Sequence, residues 1–225
     1  MKTGRIPGWI LVGGLVLAGV AGLVNAIGLL GLQHPLSHVT GNASAFAASL
    51  ANGEYAELRI TGLLVLTFFF GAVIGGFVVQ QSTARLGRRY GAALAIESAL
   101  LFAAAFYLQR HSSAGMYLGA VACGLQNAMV TTYSGAIVRT THMTGVTTDI
   151  GIAVGHLLRG KAVAPRYFLL LGALLAGFVG GGMLGAELFV RYRFAALLLP
   201  ALVTGAVGIA YFIFKQLQHS LRTAQ

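Results

Sequence analysis

Residues 33–44 read QHPLSHVTGNAS, and residues 139–150 read RTTHMTGVTTDI. Each carries His-x-Thr-Gly in a chain that is 57% hydrophobic, 9% charged and of mean hydropathy +0.81. A soluble domain has roughly 25% charged residues, so this chain cannot cover its apolar surface with charge, and lipid is its solvent. In hydrocarbon every backbone N–H and C=O must be paired within the protein. A polar, glycine-bearing stretch there reads as an interrupted helix, tolerated only inside protein or along a water-filled cavity.

Around the two motifs lie six apolar segments, at about 8–32, 60–80, 89–108, 114–138, 166–189 and 194–214. Most reach the ~20 residues that cross a hydrocarbon core. Two shorter, more polar helices fit between them, at 40–52 and 143–158. The expected fold is all-α and polytopic: six transmembrane helices plus two short broken or re-entrant half-helices.

The motifs are one of four matches between two halves of the chain, 1–112 and 113–225. GLVNA at 22–26 repeats as GLQNA at 124–128, an offset of 102, and HVTG at 38–41 as HMTG at 142–145, an offset of 104. FGAVIGG at 70–76 resembles AGFVGGG at 176–182 at 106, and Arg89-Tyr90 matches Arg191-Tyr192 at 102. Each half then has a long span, a short helix and two more spans. If the short helix crosses fully, the halves are parallel; if it is re-entrant, they form an inverted 3+3 repeat.

Basic residues accumulate in cytoplasmic loops. With three crossings per half and a cytoplasmic N-terminus, eleven basic residues fall inside: Lys2, Arg5, Arg85, Arg88, Arg89, Arg139, Arg159, Lys161, Arg166, Lys215 and Arg222. Four fall outside: Arg59, Arg110, Arg191 and Arg193. Four crossings per half would move Arg85, Arg88 and Arg89 outside. The inverted arrangement is favoured, with both termini cytoplasmic. The net charge of +10 thus records topology. No basic stripe with interleaved aromatics suggests nucleic acid.

A break followed by a short helix exposes that helix's N-terminus. Thr40 and Thr144 are placed to cap it, and the following amides with the positive end of the dipole favour an anion. Two such ends near the midplane resemble the way transporters build solute sites. The expected solute-binding residues are Asn25, His38, Thr40, Gly41 and Asn42 in the first half. Their partners in the second are Gln126, Asn127, His142, Thr144, Gly145, Thr148 and Asp149. For Asn25 and Asn127 a second reading is interhelical hydrogen bonding, and for His38 and His142 a structural bond at the break. Glu97, inside GAALAIESALLFAAAF, is a costly intramembrane carboxylate and a proton- or ion-coupling candidate. Asp149 shares that role, or supports the N-terminus of its short helix electrostatically. Two histidines without cysteine or a carboxylate cluster are a weak metal set. The single cysteine, Cys123, excludes an intrachain disulfide.

Gly71 and Gly75, and Gly177, Gly181 and Gly185, place glycines along one helix face each, which allows close helix crossing. Those rows serve either packing inside the chain or a homodimer. Trp9, Tyr90 and Tyr167 near span ends fit interfacial anchors. No nucleophile motif, phosphate loop or paired catalytic carboxylates appear, and no cofactor is implied, so an enzyme is not expected.

The order Gly-x-x-Asn-Ala, Ser-His-x-Thr-Gly-Asn, Thr-His-Met-Thr-Gly and Thr-Asp-Ile-Gly resembles the YoaK family over nearly the whole chain. That resemblance implies a polytopic protein of the bacterial inner membrane in a domain family of unknown function. Members of that family often carry Asp where this chain has Asn25. The residues themselves point to a transporter or channel for a small polar or anionic solute. The alternative is a membrane module that binds a lipid or partner protein without transporting.

Overall fold

The computed structural model describes residues 8–79, 89–134 and 138–223. Every element among them is helical: α1 (Gly8–Leu32), α2 (Val39–Asn52), α3 (Tyr55–Val78), α4 (Arg89–Gln109), α5 (Ala114–Tyr133), α6 (Met143–Leu158), α7 (Pro165–Tyr192), a 3-10 turn (Arg193–Leu197) and α8 (Leu198–Thr223). Lys2, Arg5, Arg85 and Arg88 of the charge count lie outside the described residues.

Four segments are long and apolar enough to cross a membrane: Gly8–Leu32, Tyr55–Val78, Arg89–Gln109 and Pro165–Phe214. The last contains α7 and α8 as far as Phe214. α5 falls short of that standard, because Gln126, Asn127, Thr131 and Thr132 dilute its 20 residues. α3 begins at Tyr55, five residues before the expected boundary, since Glu57 and Arg59 form a polar first turn that hydropathy ignores. α5 ends at Tyr133, short of 138, where the Ser134 hydroxyl accepts from the Val138 N–H at 2.9 Å and turns the chain away. The outer surface is strongly apolar: Phe77 is 84% exposed and Met183 70%. Such surface, on helices long enough to cross a bilayer, suits a membrane protein.

Glycine contacts set the helix directions. A Cβ at Gly181 would collide with the Gly19 backbone and one at Gly177 with the Leu15 carbonyl, while one at Gly185 would lie 2.7 Å from the Leu23 oxygen. Residue numbers rise together, so α1 and α7 are parallel. α3 and α5 repeat the arrangement: a Cβ at Gly71 would collide with the Val121 carbonyl, and one at Gly75 would lie 2.9 Å from the Leu125 oxygen. Gly22 meets the Phe178 carbonyl, and Gly124 the Phe68 carbonyl. Three of the four α1/α7 contacts thus recur in α3/α5, at an offset of 102 in α1/α5 and 110 in α3/α7, while Thr67 stands in the place equivalent to Gly177. The glycine rows therefore correspond at 110, not at 106, because GG strings align at several registers and only packing selects one. All five glycines named from the sequence are engaged within one chain, so those faces are not free for a second copy.

α8 runs back along α1. Phe194 touches Gly31 near the end of α1, and Val207 and Tyr211 share a small pocket with Gly13 and Gly14 near its start. The reversal occurs at Arg193, whose φ of 51° lies in the left-handed region. α4 and α8 cross antiparallel: Gly91 approaches the Gly208 oxygen, and the Ser98 hydroxyl donates to the Ala201 carbonyl at 2.7 Å.

Two apolar clusters stack along the bundle. One gathers Leu23, Ile27, Leu64, Leu101 and Leu197; the other Leu17, Leu94, Leu125, Leu170 and Leu174. Buried Glu97, Ser98 and Gln126 lie on α4 and α5 at the junction between them.

The seams make a direct test. Gly181→Ala and Gly71→Ala force backbones apart and should each cost about 1–3 kcal/mol, as overpacking does. Gly180→Ala and Gly172→Ala, where a Cβ meets nothing within 4 Å, should be neutral. Thermal unfolding in detergent reads the difference; equal effects at all four positions would refute the seam.

Candidate functional site

The first break begins where α1 ends. Gln33 takes a left-handed φ of 63°, and Pro35 has no N–H to continue a helix. Leu36, 1% exposed, drops into a notch that Gly28 and Gly119 leave open, where added Cβ atoms would come within 2.6 Å and 2.8 Å of it. The chain therefore dips back along α1. There Asn25 Oδ1 accepts from both the Ser37 N–H at 3.1 Å and the Ser37 hydroxyl at 2.9 Å. Asn42 Nδ2 donates to the Pro35 carbonyl at 2.9 Å. Both asparagines thus hold the break, and Asn25 also borders the cavity described below.

From this level α2 runs back along α3. Thr40 shares a wall with Phe68 and Phe69, whereas Phe46 lies against Gly62, nearer the start of α3. The end of α2 therefore lies toward the start of α3.

The second break is pinned differently. Thr140, fully buried, donates its hydroxyl to Gln126 Oε1 at 3.2 Å, and Gln126 Nε2 donates to Glu97 Oε1 at 2.9 Å. A buried carboxylate on α4 is thereby wired through α5 to the segment that precedes α6. Glu97 Oε2 is buried with no hydrogen bond.

The two short helices start alike. His38 and His142 are the N-cap residues, at φ −98°, ψ 75° and φ −91°, ψ 58°. Their carbonyls accept from Asn42 N–H and Val146 N–H, both at 3.1 Å. Neither cap makes a side-chain hydrogen bond. Thr40 and Thr144 fall two residues inside the helices and do not cap them. The glycine of each motif has a steric reason instead. A Cβ at Gly41 would lie 2.5 Å from His38 Nδ1, and one at Gly145 would lie 2.6 Å from His142 Nε2. Each imidazole folds over the first helical turn, and a side chain three residues on would make the ring shift from this place.

Both helix starts open on one cavity of about 850 Å³. Its polar wall includes Asn25, Ser37, His38 and Thr40 from the first break, and Asn127, Thr131, Arg139, Thr141, His142 and Thr144 from the second. Its apolar wall includes Val65, Phe68, Phe69, Met143 and Phe178. No carboxylate is among the lining residues. The first-turn amides of both helices face this space with the positive ends of the two dipoles, beside the Arg139 guanidinium. Thr131 Oγ1 and Asn127 Oδ1 are buried at the wall without a hydrogen-bond partner.

Not every residue expected at the site reaches it. Gly41 and Gly145 act beneath the imidazoles. Asn42 and Gln126 lie behind the wall, tied to Pro35 and Glu97. Thr148 donates to the Thr144 carbonyl within α6 at 2.9 Å. Asp149 lies beyond the first turn of α6 and accepts from the Tyr167 hydroxyl at 3.1 Å, joining α6 to α7. Arg139, legible in the sequence only as a loop charge, also lines the cavity. Among the described residues no group of three His, Cys, Asp or Glu side chains is placed to hold a metal.

A family model described as a protein of unknown function (DUF1275) matches residues 13–210. The chain belongs to this family. No curated protein and no solved structure matches it. The matched stretch contains both breaks and every residue named on the cavity wall, so the site lies wholly within the family's domain.

The Glu97–Gln126–Thr140 chain carries a prediction. Gln126→Leu removes a donor from Glu97 and an acceptor from Thr140, each left buried, and unmet buried groups cost about 1–3 kcal/mol apiece. Thermal unfolding should show a marked loss for Gln126→Leu and a partial recovery when Glu97→Leu is added. If the two losses simply add, the residues are not coupled.

Proposed function

We propose that this protein is a transporter or channel for a small polar or anionic solute, with a midplane site built from the two His-x-Thr-Gly breaks. The observation that carries the reading is that both breaks, more than a hundred residues apart in the chain, open on one cavity. A lone interruption is often a packing device. Two equivalent ones that line a shared space, with helix N-termini and a guanidinium, make a place for negative charge.

The architecture proposed around it is six spans in an inverted 3+3 repeat. Reciprocal glycine contacts support the two-fold relation: α1 meets α7 as α5 meets α3. The antiparallel crossing of α4 and α8 supports three spans per half, because with four the equivalent last helices would run the same way. Ser98 and Ala201, which meet at that crossing, are themselves 103 residues apart, close to the repeat offset. The distribution of basic residues supports cytoplasmic termini in a bacterial inner membrane, the setting that the YoaK-like motifs also imply. Glu97 and Asp149 are the groups proposed to couple transport to protons, and for Glu97 a hydrogen-bond chain that ends two residues before His142 supports this.

Two measurements test this. With Cys123 replaced by alanine, single cysteines at Ala43 and Thr147 should label from opposite faces of sealed vesicles; labelling from the same face overturns the inverted repeat. Proteoliposomes should take up anionic solutes, with flux cut at least tenfold by Thr144→Trp, which fills the cavity mouth, and by Arg139→Glu. Absence of flux in well-folded protein overturns the transport role.

A further inference from the structure

Resting on the reading of this cavity as a solute site, we infer that its ligand is an amphiphilic organic anion: one anionic head on an apolar, ring- or chain-like body. Volume excludes a snug fit for an inorganic ion. A water takes about 30 Å³ in the liquid and a simple oxyanion little more, whereas the cavity holds about 850 Å³. That lies within the roughly 300–1,000 Å³ of sites for organic molecules.

The lining is divided by chemistry. Arg139 is exposed to the cavity and makes no ion pair or hydrogen bond among the described residues. The starts of α2 and α6 flank the same space, and no acidic side chain competes for the guanidinium. The same cavity wall carries Phe68 and Phe69 of α3 and Phe178 of α7, with Val65 and Met143. Aromatic faces give a solute apolar contact rather than charge. A fully hydrophilic polyanion would leave them wetted for nothing, and an uncharged apolar solute would leave Arg139 desolvated without a partner.

The two halves contribute unequally. Arg139, a permanent cation on the cavity wall, belongs to the second break alone. The anionic head therefore belongs at the α6 end and the apolar body toward α3 and α7.

The same chemistry occurs in free carboxylates and in lipid headgroups, so the test separates them. Thermal unfolding of the full chain in detergent is followed with benzoate, octanoate, nitrate, inorganic phosphate, and phosphatidylglycerol. Benzoate and octanoate should raise the Tm by several degrees. Arg139→Gln should abolish the shift, Arg139→Lys should restore part of it, and Phe68→Ala should weaken it at least fivefold in concentration dependence. Equal stabilisation by nitrate or phosphate through Arg139 would overturn the organic class while leaving an anion site intact. Stabilisation by phosphatidylglycerol alone would overturn a soluble solute in favour of a lipid. No shift with any compound would overturn both the ligand class and the solute site.

Discussion

A backbone interrupted at membrane depth has to find partners within the protein, because hydrocarbon offers none. The rest of this structure is arranged around that requirement. Asn25 and Asn42 meet it at the first break and Ser134 at the second, where Gln126 and, behind it, Glu97 hold the Thr140 side chain. The solutions differ although the motifs repeat. One uses short-range amide bonds within a single hairpin. The other reaches across α5 to a carboxylate on α4. Equivalent backbone breaks therefore sit in unlike electrostatic surroundings, which gives the shared cavity a direction.

Glycine serves two separate ends. Along α1/α7 and α3/α5 it lets carbonyls approach a neighbouring helix so closely that no Cβ would fit. In His-x-Thr-Gly it clears the first helical turn for an imidazole. The former creates rigid walls; the latter fixes how histidine presents itself to the cavity between them.

The long helices were legible because apolar length is a strong signal. α1 was placed at its observed ends and α4 to within a residue. The short helices were legible because the motif repeats: 143–158 is α6 as observed, and α2 starts at Val39, one residue ahead of 40–52. What composition could not convey was which side of a helix a polar residue takes. Gln126 and Asn127 are neighbours, yet one turns inward to Glu97 and the other borders the cavity. Asp149 belongs to Tyr167. Arg139, read as a topological charge, lines the cavity.

The paired seams have a bearing on how the chain is made. Gly19 and Gly181 meet although 162 residues separate them, and neither half holds both sides of its own seam. At a synthesis rate of about 5–20 residues per second, α1 waits roughly ten to thirty seconds for α7 to emerge. Through that interval its glycine face has no helix to accept, and the first half can be inserted but not completed. The final helices close the first, so a chain truncated before α7 loses more than its last quarter: the wall formed by α1 loses its backing.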